Sequence, residues 1–167
     1  GREVRGEVVG QGLGTGQGRA QVHLCQGLGR EVVGFDERLL GLGLADRIRA
    51  AFPWDRAEEV TFECEPGTIT RKKLDVIREI GVTRLSLGVE NFDDRILQEN
   101  GRAHVSKEIY RVLPWIRDLD FDQLNIDLIA GMVGETGETW KLSVQKAIDL
   151  APDSITVYQM ELPFNTV

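Results

Sequence analysis

From about Ala45 onward, short apolar runs alternate with amphipathic stretches, and that alternation dictates the fold class. ADRIRAAF closes a helix, and EEVTFECE (58–65) reads as a strand. TRKKLDVIREIG places Leu74, Ile77 and Ile80 on one stripe, with Thr70 as N-cap and Gly81 as the stop. TRLSLGV (83–89) is a strand and DDRILQEN a short helix. SKEIYRVLPWIRDLD sets Ile109, Val112, Leu113, Ile116 and Leu119 at helical spacing, with a kink or break expected at Pro114. FDQLNIDLIAGM (121–132) contains a strand. GETWKLSVQKAIDLA puts Trp140, Val144, Ala147 and Ile148 on one face, and SITVYQMEL (154–162) is a further strand. Strands and helices in this rotation predict repeated βα units, hence an α/β fold built on a parallel sheet.

The strands are one-sided. A parallel strand covered by helices on both faces reads as a continuous aliphatic run. Here one face carries Val60, Phe62, Cys64; Leu85, Leu87, Val89; Ile126, Leu128; and Ile155, Val157. The other carries Thr61, Glu63, Glu65; Arg84, Ser86, Gly88, Glu90; Asn125, Asp127; and Ser154, Thr156, Tyr158. If the sheet curls, the polar side becomes a lumen, with its acids towards the C-terminal strand ends where (β/α) barrels hold their active sites. The plainer alternative is that these residues pair with one another in a filled barrel, or face solvent in an open sheet. Charges in a purely structural lumen are costly, which favours a ligand.

Composition narrows the function classes. The 167 residues suit one domain with a real core. Net charge is −7, which argues against a nucleic-acid surface built on clustered Lys and Arg. No apolar run reaches the length of a membrane span and no signal-peptide pattern opens the chain, so the cytoplasm is expected. Two cysteines, Cys25 and Cys64, form no disulfide framework, in keeping with a reducing compartment. Both ends of the sequence look cut.

ECEPGT (63–68), RLSLGVENFDD (84–94), NGRAH (100–104), NIDLIAGMVGET (125–136) and APDSITVYQMELP (151–163) follow in order and spacing. Together they resemble the radical S-adenosylmethionine (SAM) enzymes of the oxygen-independent coproporphyrinogen III oxidase type, over roughly residues 45–165. The resemblance implies a partial (β/α) barrel of that type, of which residues 45–167 hold the middle and later units. It implies an iron–sulfur oxidoreductase whose intact form cleaves SAM to a 5′-deoxyadenosyl radical. It also implies a small-molecule substrate, a porphyrinogen being one candidate, and an electron donor. A radical SAM methyltransferase of the same sequence type and a haem-binding chaperone stay open as alternatives. By the same resemblance Glu63, Glu90, Arg102 and Asp127 fall on the family's SAM contacts. Glu63, Glu90 and Asp127 would accept from ribose hydroxyls and the amino group, and Arg102 would pair with the SAM carboxylate. Glu90 departs from the family's Gln: it accepts but cannot donate an amide hydrogen bond. On spacing alone Arg102 reads equally as a surface ion pair.

The resemblance also implies a [4Fe–4S] cluster on three cysteines in a C-x-x-x-C-x-x-C loop. Cys25 and Cys64 belong to no such loop, so no metal ligands are assigned and no catalytic residue is named. Cys64, on the aliphatic face, reads as a small core residue. Cys25 and the neighbouring His23 carry no specific signal, and His104 reads as a turn cap. Residues 1–44 hold 12 of the 19 glycines and no apolar periodicity. GQGLGTGQG (10–18) fails as a phosphate cradle, because no strand precedes it and no helix start follows. The segment is therefore expected to be irregular, either translated out of frame or genuinely divergent.

Overall fold

The computed structural model describes residues 21–25, helical positions 43, 46, 47, 49 and 50, and residues 54–160. Five strands form one sheet: β1 (Gln21–Cys25), β2 (Glu59–Cys64), β3 (Arg84–Glu90), β4 (Gln123–Ala130) and β5 (Ser154–Gln159). Every neighbouring pair is parallel and the spatial order is the chain order, β1-β2-β3-β4-β5. Between strands lie α1 (Arg71–Glu79), α2 (Asp94–Glu99), α3 (Ser106–Asp118) and α4 (Gly137–Asp149). A doubly wound sheet reverses its strand order part-way, and this one does not. Parallel crossovers are right-handed as a rule, and with an unreversed order that places the described helices on one face of the sheet.

The helices follow their sequence signals. Thr70 caps α1, its side chain accepting from Lys73 N–H. Gly81, at φ +83°, takes the left-handed turn that ends it. Asp93 caps α2 by accepting from the N–H groups of Arg95 and Ile96. Glu108 reaches back to Val105 N–H at the start of α3. Thr136 caps α4 by accepting from Thr139 N–H.

The core lies between helices and sheet. Leu74, Ile77, Ile109, Val112, Ile116 and Ala147 pack over Leu85, Leu87, Val89, Ile126 and Leu128, all buried. Cys64 is buried on this side, and burial, reinforced by neighbouring Glu63, pushes its thiol pKa up. It is the small core residue the sequence indicates.

Three expectations are corrected. Pro114 does not end its helix: α3 runs through it to Asp118, and buried Val112, Leu113 and Ile116 hold both sides of the missing N–H in place. Ile148 is exposed and Ser143 is buried instead, because α4 presents Ser143 to the β3–α2 loop as a hydrogen-bond partner. β1 lies inside the stretch expected to be irregular. Its five residues are too few for a period to show, and it is secured by pairing with β2. At the other side Val157 of β5 is exposed although it sits on the aliphatic face. Cys25 lies in β1, GQGLGTGQG outside the described residues.

Candidate functional site: the polar face and the C-terminal strand ends

The polar face carries a hydrogen-bonded ladder across β3, β4 and β5. Asn125, fully buried, donates through Nδ2 to Ser86 Oγ and to Asp127 Oδ1, both at 2.8 Å. Its Oδ1 accepts from Ser154 Oγ at 2.8 Å and Thr156 Oγ1 at 3.1 Å. Ser86 donates onward to Asp127 Oδ2 at 2.5 Å. Both oxygens of Asp127 thus hold one internal bond, and a carboxylate has lone pairs left for a further donor on each. Below this ladder Arg84 stands 3.7 Å from Glu59. The plainer alternative, polar groups pairing inside a lumen, therefore describes the lower layer well.

The upper layer is different. Burial pushes the Asp127 carboxyl above the usual range, Ser86 and Asn125 oppose the shift, and the charge of Glu63 adds to it. Glu63, exposed near the end of β2, is thus close enough for its charge to act on Asp127 of β4. At the end of β3 the register with β4 slips between Gly88 and Glu90, and Glu90 adopts φ +63°. A bulge re-aims a side chain, and left-handed backbone at a non-glycine residue is strain retained for a reason. Re-aimed in this way, Glu90 meets Arg102 of the loop after α2, with Oε2 2.7 Å from Arg102 Nε. The contact joins charges without a directed hydrogen bond, so both buried atoms lack one. Burial raises the Glu90 carboxyl, Arg102 and His104 oppose this, and Glu65 and Asp127 reinforce it.

His104 had no role from sequence beyond a turn cap, and the structure corrects this. It is buried, with Nε2 3.1 Å from Val89 O. A carbonyl only accepts, so Nε2 carries the proton. Nδ1 faces Glu65 Oε1 at 3.6 Å, too far for a hydrogen bond, and has no other partner. Gly67 makes this approach feasible: a Cβ there would lie 3.1 Å from Ala103 O and 3.3 Å from His104 Cβ. The EPGT and NGRAH loops are therefore in contact, and their motifs form one place in space.

The loops are pinned by two residues that sequence reasoning missed. Asn91, fully buried, donates to Glu135 Oε1 at 2.8 Å and accepts from Ser143 Oγ at 2.9 Å and Asp93 N–H at 3.0 Å. Glu135 also accepts from Gly131 N–H. Asn100 spans to the same loop, with Nδ2 donating to Val133 O and Oδ1 accepting from Val133 N–H, both at 3.0 Å. No local pattern announces such pairs, whose members lie on different βα units.

The profile of the radical SAM superfamily matches residues 26–147. The chain belongs to the radical SAM superfamily. Its sheet is the α/β partial barrel of that type: it superposes on the coproporphyrinogen III oxidase HemN of Escherichia coli, described as a radical SAM enzyme, with TM-score 0.68 and 25% identity. That likeness covers 86% of this chain and 32% of the oxidase. The radical SAM chain is 30% identical over 119 residues to a heme chaperone HemW of Bacillus subtilis (strain 168), covering 71% of this chain and 31% of the chaperone. It is 30% identical over 115 residues to an oxygen-independent coproporphyrinogen III oxidase of Synechocystis sp., covering 69% of this chain and 25% of that protein. The chain therefore spans about a quarter to a third of the relatives it matches. The superfamily match starts upstream of residue 45, within the glycine-rich segment.

The superfamily implies SAM and a [4Fe–4S] cluster, and the two fit the described residues differently. SAM needs acceptors for hydroxyls and an ammonium and a cation for its carboxylate; the polar strand ends offer Glu63, Asp127, Glu90 and Arg102. The cluster needs converging thiolates. Cys64 is buried on the opposite face, and among the described residues no group of three or more His, Cys, Asp or Glu is disposed to hold a metal ion. No helix among the described residues is long and apolar enough to cross a membrane.

Proposed function

We propose that the C-terminal ends of β2, β3 and β4, with the loop carrying Arg102, form the wall of a SAM site in an enzyme of the coproporphyrinogen III oxidase type. The observation that supports this best is the convergence of strained Glu90, half-buried Arg102 and Asp127, whose carboxyl burial has raised, at one end of the polar face. Such a site serves reductive cleavage of SAM to a 5′-deoxyadenosyl radical, which takes hydrogen from a substrate. This chain's residues bind and orient: Glu63 and Asp127 accept from ribose hydroxyls and the ammonium, and Arg102 pairs with the carboxylate. The ladder through Ser86 and Asn125 fixes the Asp127 carboxylate before the ligand arrives, which lowers the ordering cost of binding. A porphyrinogen substrate and an electron donor belong to the same reading, carried by the oxidase relatives.

A second reading, a haem carrier, is favoured by the heme chaperone relatives at equal identity. Titrating the chain with SAM and, separately, with haem divides the two. Saturable SAM binding without a haem Soret shift supports the first; a stoichiometric Soret shift without SAM binding supports the second.

The division of the chain at residues 44 and 45 belongs to the same account, with a glycine-rich segment before the regular βα units. Of its two origins, a divergent segment gains support from the superfamily match that begins at residue 26. Reading the other two frames of the gene upstream of Ala45 tests this: a cysteine loop and a Gly-Gly-x-Pro turn in either frame would overturn it.

A further inference from the structure

Arg102 is not available to an incoming anion as it stands. Its Nε lies 2.7 Å from Glu90 Oε2, and both atoms are buried. The groups facing Glu90 are Glu65 from the loop after β2, Asp127 from β4, and Arg102 and His104 from the loop after α2. Glu90 thus sits in the field of two further carboxylates, with Arg102 and a buried imidazole opposing them. A ligand carboxylate arriving at Arg102 would add a fourth negative charge beside Glu90, and in a partly buried site two like charges around one cation are strongly disfavoured.

The contact is also poorly made. Arg102 Nε directs no hydrogen bond at Glu90, and the Glu90 backbone is held in the left-handed region. A pair kept for stability alone would have good geometry on relaxed backbone. We propose that Glu90 is a proton-operated latch on Arg102: a carboxylate-bearing ligand reaches the guanidinium as Glu90 takes up one proton. Neutral Glu90 then keeps its place as a hydrogen-bond donor beside the ligand, and Arg102, its own charge unchanged, pairs with the ligand carboxylate instead. The balance is one proton taken from solvent for each ligand bound. This specifies how the SAM site proposed above selects its ligand, and it rests on that reading. His104, with Nε2 committed to Val89 O and Nδ1 towards Glu65, is the other basic side chain facing Glu90 and is therefore varied separately.

Calorimetric titration of the whole chain with SAM, in buffers of different ionisation heat at about pH 6 and about pH 8, counts the protons taken up. For the native chain the count is expected near one at the higher pH, with affinity falling by up to about tenfold per pH unit. Glu90→Gln should take up none beyond the ligand's own, lose that extra slope, and bind at least about tenfold more tightly than the native chain at about pH 8. Arg102→Gln should weaken binding at both pH values and abolish the extra uptake, which keeps the test alive if Glu90→Gln fails to fold. His104→Gln should leave the extra uptake in place. Equal slopes and proton counts in the native chain and Glu90→Gln overturn the latch while leaving the SAM site standing. Binding unaffected by Arg102→Gln also overturns it. No SAM binding by any of the proteins overturns the SAM reading and the latch together.

Discussion

At Asp127 burial and hydrogen bonding pull in opposite directions, and burial prevails. An acid whose folded pKa is raised binds its proton more tightly when folded, so it carries no penalty below the ordinary carboxylate range. The penalty grows as pH rises through that range to the raised value and persists above it. The stability of the native chain relative to Asp127→Asn should therefore decline between about pH 4 and about pH 7. Urea unfolding at the two pH values checks it, and a gap that widens in favour of the native chain as pH rises contradicts it. Gly67 gives a second test at this scale. Its φ needs no glycine, but the approach of the NGRAH loop does. Gly67→Ala should cost about 1–3 kcal/mol in a denaturant midpoint, since backbone at Ala103 cannot yield as a flexible side chain would. An unchanged midpoint would show that the two loops are not in contact. Candidate site residues stand out in sequence where a carboxylate interrupts a strand, as at Glu63 and Asp127. His104 does not, because a buried histidine and a turn cap look alike in sequence.

Among the elements, strands and helices were legible because period and caps agreed: Thr70, Gly81, the Leu74–Ile77 stripe and the two-sided strands all reappear in the structure. What sequence did not disclose was the joinery between βα units. Asn91 and Glu135 lie in separate loops, each resembling a solvated turn, and only the fold brings them to 2.8 Å. Removing Asn91 leaves buried Ser143 and half-buried Glu135 each short of a partner. Asn91→Ala should thus destabilise the chain by about 2–3 kcal/mol, and it should release Glu90 from its left-handed backbone. Hydrogen exchange at residues 89–93 and a chemical melt read both effects; a cost below about 0.5 kcal/mol would show the loops held by other means. β1 marks the limit of periodicity: five residues, QVHLC, became a strand through pairing with β2 rather than through any pattern of their own.

On the scale of the whole molecule, the unreversed strand order explains why the sheet has a polar face. Crossovers of one hand leave one side of the sheet to polar residues, and that side carries the acids noted at the strand ends. The superfamily was legible from five motifs in register, whereas the substrate was not. Substrate choice in such barrels is set by loops around the whole mouth, and this chain spans about a quarter to a third of its relatives. The central claim is that the polar strand ends bind SAM through particular carboxylates rather than through diffuse negative charge. Glu63 and Glu65 separate those alternatives, because both are acids at the end of β2, but the charge of Glu63 bears on Asp127 while Glu65 faces His104 at 3.6 Å. Equilibrium binding of SAM to Glu63→Gln and Glu65→Gln is therefore the most direct measurement. Loss of a hydrogen bond to a carboxylate costs about 1.5–3 kcal/mol, so Glu63→Gln should weaken binding about ten- to a hundredfold with the melt unchanged, and Glu65→Gln far less. Equal losses in the two variants, or native affinity in Glu63→Gln, would contradict the account.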